Sequence, residues 1–165
     1  MDATGSTAPA TNLPDARAFP RIIDEGFGRQ AWHGPEMKAA ISDVTPERAF
    51  WRPAPGRHNI AEITLHHAFW IHRIREQIAG SSEPFVMPGE DWFALADASV
   101  KSWPDVVAAL QSEQSLLVAL GAGLAAGRIS SPLSESDRFD RILGITCHAA
   151  YHAGQIQLIK ALRSA

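Results

Sequence analysis

The chain has a single cysteine, Cys147. A disulfide needs two, so no internal disulfide framework can form, and such usage fits a reducing cytoplasm. There is no basic block either: 15 Lys and Arg stand against 18 Asp and Glu, a formal net charge of −3. The electrostatic footprint of nucleic-acid or anionic-membrane binding is therefore missing. No uninterrupted apolar run approaches the ~20 residues of a membrane span. Residues 1–14 lack the basic start and apolar core of a signal peptide. Rich in Ala, Thr and Pro, they are expected to form a disordered tail ahead of one domain over residues 15–165. Strand signals are missing as well: there is no sustained period-2 pattern and no Asn-Gly or Asp-Gly turn.

What remains is helical patterning. The 165 residues, 45% of them hydrophobic, suit one domain with a full core. A first helix is expected from near Pro20, with Phe19, Ile22, Ile23, Phe27 and Ala31 on its apolar side. Gly34-Pro35 should break it, with helix resuming to about Asp43. Thr45-Pro46-Glu47-Arg48 reads as a capped short turn, and Arg52-Pro53-Ala54-Pro55-Gly56 as a stiff loop. A second helix starts at Asn59, where Asn59 and Glu62 form a capping-box pattern. It carries Ile60, Ile63, Trp70, Ile74 and Ile78 inward and ends at Gly80-Ser81-Ser82. Residues 81–96 then form a long connection, able to span ~50 Å if extended and so to cross back along a bundle.

Ser102-Trp103-Pro104-Asp105 caps a third helix with the stripe Val106, Leu110, Glu113, Leu117, Leu120 and Leu124. Gly121, Gly123 and Gly127 weaken its end. Ser134 with Asp137 caps a fourth, running to Arg163, with Ile145, His148, His152, Ile156, Ile159 and Leu162 inward. Four helices with one apolar face each predict an all-α four-helix bundle with a long connection between the second and third helices.

The strongest chemical signal lies in the fourth helix, His148-Ala149-Ala150-Tyr151-His152-Ala153-Gly154-Gln155. Histidines four apart share one helix face, one turn apart, close enough for both imidazoles to bind one metal ion. The second helix offers a partner in His66 or His67. Periodicity does not choose between them, since both lie between Ile63 and Trp70 near the buried face. Three neutral imidazoles make a site for Zn²⁺ or Ni²⁺ and leave coordination positions open, as at a catalytic metal. Such an ion can acidify a bound water or thiol.

Several stretches together resemble the DinB family of bacterial bundle proteins. They are Ala31-Trp32-His33-Gly34-Pro35, the run from Trp51 to Ile63 followed by His66, Ala68, Phe69 and Trp70, and His148 to Ile156. The matches fall in the family's order and span most of residues 20–163. The resemblance implies a DinB/YfiT-like four-helix fold, often dimeric, and a divalent metal held by one histidine of the second helix and two of the fourth. The family pattern falls on Glu62, His66, Ala68 and Trp70, which selects His66 beside His148 and His152. Relatives in the wider superfamily include thiol S-transferases. A low-molecular-weight thiol joined to a small electrophile is thus the implied reaction, in a cytoplasmic homodimer. A metal-dependent hydrolase of a small ester or amide is the alternative; a non-catalytic metal-stabilised binding or stress protein is another.

Other residues rank lower. Ala149 stands where a zincin protease carries its glutamate, so that route to peptide hydrolysis is missing. A carboxylate di-iron bundle needs Glu-x-x-His pairs, and the fourth helix has no glutamate beyond Glu135. Gln155 is placed to orient a ligand or a water. Glu113 reads as a base candidate or, more simply, as part of a solvated helix face. Glu62 is explained by capping and Cys147 as a small buried hydrophobe. His33 could edge a pocket mouth. His58 and His72 read as surface residues. Trp70 and Tyr151 could wall a pocket or serve as core.

Overall fold

The computed structural model describes residues 15–28 and 31–164. The tail expected over residues 1–14 lies outside them. Every regular element described is helical. A short 3-10 turn at Ala16–Ala18 leads into α1, Phe19–Phe27. Two short helices follow, α2 at Met37–Ile41 and α3 at Pro46–Ala49. The long elements are α4, Ile60–Ala79, α5, Trp103–Ala125, and α6, Glu135–Ser164.

The caps sit where local chemistry predicts. The Thr45 hydroxyl takes the Arg48 amide and Pro46 supplies the first turn of α3. Asn59 and Glu62 form a full capping box at the start of α4. Ser102 and Ser134 accept the amides of Asp105 and Asp137 at the starts of α5 and α6. At its far end α4 stops on Gly80 with φ +69°, the left-handed position that glycine occupies without steric cost. The first helix ends at Phe27, before the Gly34-Pro35 break, so Ala31 falls outside it.

Each of α1 and α4 packs against both α5 and α6, which puts α1 and α4 on opposite corners of the core. The contacts also give directions. The chain approaches α5 from the start of α4, where Asn59 holds the Leu95 carbonyl, and leaves it beside the end of α4, where Ser131 bonds to Ile78. These two helices therefore run parallel, with Glu113 of α5 meeting His72 and Arg75 of α4. Lys160 near the end of α6 reaches the Ala40 carbonyl and Asp43, while Ser131 before α6 bonds to Ile78. The last helix therefore runs antiparallel to α4. Behind the His148–His152 segment, α1 makes its closest approach: a Cβ on Gly26 would sit 2.9 Å from the Thr146 carbonyl oxygen and 3.1 Å from Ala149 Cβ. Glycine there lets α1 and α6 touch.

The connection over residues 81–102 is the crossover expected, and its path is legible contact by contact. The Glu83 carbonyl accepts from His72 Nε2, near the end of α4. The Asp91 carbonyl meets His66, in its middle. The Leu95 carbonyl accepts from Asn59 Nδ2 at 2.6 Å, at its beginning. The chain thus runs back over α4, burying Phe93 and Leu95 against it. With α5, α6 and this segment all around it, α4 is buried continuously from Ile60 to Phe69. A one-faced amphipathic pattern cannot anticipate that.

Several expectations need correction. His72 is 3% exposed, not a surface residue, and Glu113 is 6% exposed, not on a solvated face. They satisfy each other: His72 Nδ1 lies 3.2 Å from Glu113 Oε1, and Arg75 Nε donates to Glu113 Oε2 at 2.9 Å. A charge this deep persists because its partners replace water. Leu162 is exposed, and so is Cys147, which lies about 100° round the helix from the half-buried His148. By length and mean hydropathy (1.2) the α5 helix could cross a membrane, but its Val106, Leu110, Leu117, Leu120 and Leu124 are spent on the core.

Asn59 is 0% exposed and makes two bonds at once, to the Glu62 amide (2.8 Å) and to the Leu95 carbonyl. Asn59→Ala removes a cap and leaves a buried carbonyl unpaired. We expect a loss of about 2–4 kcal/mol and a Tm lower by roughly 5–10 °C. Thermal denaturation checks this; a Tm matching the parent chain would contradict the double role.

Candidate functional site

Three histidines converge at the middle of the bundle. His66 comes from α4, and His148 and His152 from successive turns of α6. His148 Nε2 lies 3.2 Å from His66 Nε2 and 2.9 Å from His152 Nε2. One nitrogen from each residue lies within 4.8 Å of the others, a set that could hold a metal ion. A tetrahedral ion with metal–nitrogen bonds of about 2.0–2.1 Å spaces its ligands roughly 3.3–3.4 Å apart. The two separations to His148 Nε2 need only a few tenths of an ångström of opening.

The opposite ring nitrogens fix the tautomers. His66 Nδ1 lies 2.9 Å from the Asp91 carbonyl oxygen, which can only accept, so the proton is on Nδ1 and Nε2 offers its lone pair. His152 Nδ1 donates likewise to Gln155 Oε1 at 2.6 Å. Gln155 is held in that orientation by its own Nε2, which donates to the Tyr151 hydroxyl at 2.9 Å. The Nε2 lone pairs of His66 and His152 therefore face the same small volume. Facing lone pairs call for a positive centre or an N–H from the third ring between them, and neutral imidazole lone pairs are what a divalent metal needs.

An added proton, which would turn one ring into an imidazolium, is a poor candidate for a positive centre there. Burial, then the neighbouring His152 and His66, push the His148 imidazole down to about 3. Burial pushes His152 down to about 4, against the pull of Gln155. Burial also lowers His66, opposed by its bond to Asp91.

Asp91 is the residue that the sequence did not signal. It is the one non-glycine residue with positive φ (63°) among those described. Aspartate tolerates this left-handed conformation better than most residues, and here its side chain is engaged too. The Trp70 indole donates to Asp91 Oδ1 at 2.7 Å, and that oxygen also lies 3.2 Å from His66 Nδ1. Next to it Trp92 stacks between two imidazoles, 3.7 Å from His58 and 3.9 Å from His66, nearly parallel to both. The connection thus supplies both a hydrogen-bond acceptor and a roof. An acidic residue two after Gly89 in a loop was the only trace of this in the sequence.

A cavity of about 390 Å³ opens beside His66 and His148. Trp70, Ile74, Gly144 and Ile145 give it an apolar wall, with Asp140 and Arg141 at its edge. Its size suits a small molecule. A larger groove, about 720 Å³, lies between α4 and the connection, lined by residues 69–91 and not by the three histidines.

A model of the DinB superfamily matches residues 30–156 of this chain. The chain belongs to the DinB superfamily. No curated protein and no solved structure matches it. The DinB match covers all three clustered histidines, together with Asp91, Trp92 and Gln155.

The structure brings His66, His148 and His152 together, with Gln155 against His152 and Trp70 beside the cavity. Tyr151 is exposed; its ring meets His152 edge-on at 5.1 Å and its hydroxyl accepts from Gln155. Glu62 is a structural residue: burial alone would raise its carboxyl, but Arg52, the Leu95 amide and His58 outweigh that and hold it below its ordinary value. His58 is partly exposed and reaches the site through Trp92. His33 bonds to the Glu25 carbonyl and does not line the 390 Å³ cavity. Glu113 belongs to the separate His72 network. Cys147 points to solvent.

His66, His148, His152 and His67 all titrate below the ordinary value of about 6.5. Below pH 6.5 the unfolded chain binds protons that the folded site refuses. This stability is complete above pH 6.5 and drains as pH falls toward 4 and 3. Thermal melts from pH 7.5 down to 5, above the main carboxylate range, should show Tm falling steadily below pH 6.5. A flat profile over that range would contradict neutral, buried imidazoles.

Proposed function

We propose that this DinB protein holds a divalent metal ion on His66, His148 and His152 and uses it to activate a small thiol for attack on an electrophile. One observation carries the metal: Nε2 atoms from all three residues converge while the far sides of the rings are tied up by other groups. The donor set is all nitrogen, with no carboxylate in the group, which suits Zn²⁺ or Ni²⁺ better than Mg²⁺ or Ca²⁺. An ion held there would supply Lewis-acid polarisation and lower the pKa of a coordinated thiol or water.

The chain's own residues support transfer over hydrolysis. Three protein ligands leave a side open, and the 390 Å³ cavity abuts that side at His66 and His148. Trp70, Ile74 and Ile145 give the cavity an apolar wall that favours a substrate with an apolar body. A hydrolase needs a base to manage water's protons. Of the two carboxylates nearby, Asp91 already accepts from the Trp70 indole beside His66 Nδ1, and Asp140 stands at the edge of the cavity, outside the three-histidine group. The Gln155 oxygen is taken by His152. A thiol acidified by the metal needs no such base.

The test has two arms. Metal analysis of protein purified without an affinity tag should find about one equivalent of divalent metal, and His148→Ala should lower zinc affinity by more than about 100-fold, beyond the 10–100-fold typical of lost supporting contacts. Turnover is then measured with several thiols and a generic electrophile. Metal-free protein with unchanged affinity in His148→Ala would sink the metal; metal without thiol turnover would leave a binding or hydrolytic role.

A further inference from the structure

His67 stands beside the three histidines without joining them. It is 1% exposed. Its Nδ1 lies 2.9 Å from His148 Nδ1, on the side of that ring away from His66 and His152. The two rings are tilted by 37°, with centroids 5.2 Å apart. This is the only hydrogen-bond partner the structure gives the His67 side chain among the described residues.

The contact differs in kind from the other two. An oxygen acceptor settles the tautomer of His66 and of His152 by itself. Two facing imidazole nitrogens share one proton, and either ring can own it. If His67 donates, His148 must carry its proton on Nε2, aimed at the other two Nε2 atoms, and cannot ligate through that atom. If His148 donates, its Nε2 lone pair joins theirs. The proton between these rings therefore decides whether the set has two ligands or three.

We propose that His67 is the positioning residue of His148. It accepts the His148 Nδ1–H on its own Nδ1, carries its own proton on Nε2, and so holds the His148 Nε2 lone pair toward the metal. This rests on the metal reading above. It completes a set of three acceptors, the Asp91 carbonyl, the Gln155 amide oxygen and His67 Nδ1, one behind each ligand. Metal-bound histidines are oriented by such partners. Adjacent residues of α4 then have distinct tasks, with His66 binding the ion and His67 aiming another ligand at it.

The test compares the parent protein with His67→Leu, which removes the acceptor, and His67→Asn, whose amide oxygen can stand where Nδ1 was. Zinc affinity is measured by chelator competition. The expectation is a loss of about 10–100-fold in His67→Leu and substantial recovery in His67→Asn, with a shifted Co²⁺ absorption spectrum in the leucine variant. Circular dichroism confirms that both fold. Should His67→Leu fail to fold, ¹⁵N imidazole spectra of the zinc-loaded parent still decide the matter. They should show His148 protonated on Nδ1 and His67 on Nε2. Leucine-variant affinity equal to the parent's, or a proton resident on His67 Nδ1, would overturn the assignment. A parent protein that takes no zinc would instead overturn the metal reading, and the role of His67 with it.

Discussion

The buried carboxylate of Glu62 is the constraint on which the site is built. Its side chain is 3% exposed, and four groups compensate it: both terminal nitrogens of Arg52, the His58 ring, the Asn59 amide and the Leu95 amide. A carboxylate taken out of water is costly unless every oxygen is met. Meeting these oxygens fixes three pieces of chain at once. The stiff loop before α4 is drawn in through Arg52, the helix start is capped through Asn59, and the returning connection is pinned through Leu95. Four residues before that pin lies Asp91, whose carbonyl is thereby brought onto His66.

The remaining polar groups of the interior follow the same logic in two separate networks. One is charged: Glu113 with Arg75 and His72, and Glu76 with Arg73 and the Glu83 amide. It fastens α4 to α5 and to the beginning of the connection. The other is neutral and made of imidazoles. Burial, with like groups alongside, disfavours the charge on each ring. Keeping these rings uncharged keeps their lone pairs available, so the fold and the proposed chemistry ask for the same protonation state.

Much of this was legible in the sequence because it is local. Asn59 with Glu62, Ser102 with Asp105 and Ser134 with Asp137 announce helix starts through contacts within one turn. The i,i+4 spacing of His148 and His152 guarantees a shared face, and Gln155 one turn on is within reach of His152. Even Glu113 was correctly set in the buried stripe by its period, although its partners were not visible. The errors were long-range. Nothing local tells that Arg75 and His72 wait opposite Glu113, so a solvated face looked simpler. Nothing local tells that α4 is enclosed on every side, so His72 looked like a surface residue.

The sequence by itself determined the helical class, the positions of the helix starts, the crossover after Gly80 and the paired histidines of α6. These follow from the 3.6-residue period and from side chains that bond to backbone within a turn. Only the tertiary structure decided which nitrogen of His148 each of His66 and His67 meets. Both lie near the same face of α4, and the distinction depends on which side of His148 each ring meets. It likewise decided that Asp91, from a loop without periodicity, supplies the acceptor behind His66. A helix's period fixes which side chains point the same way; what stands there to meet them depends on how the other helices and the connection pack.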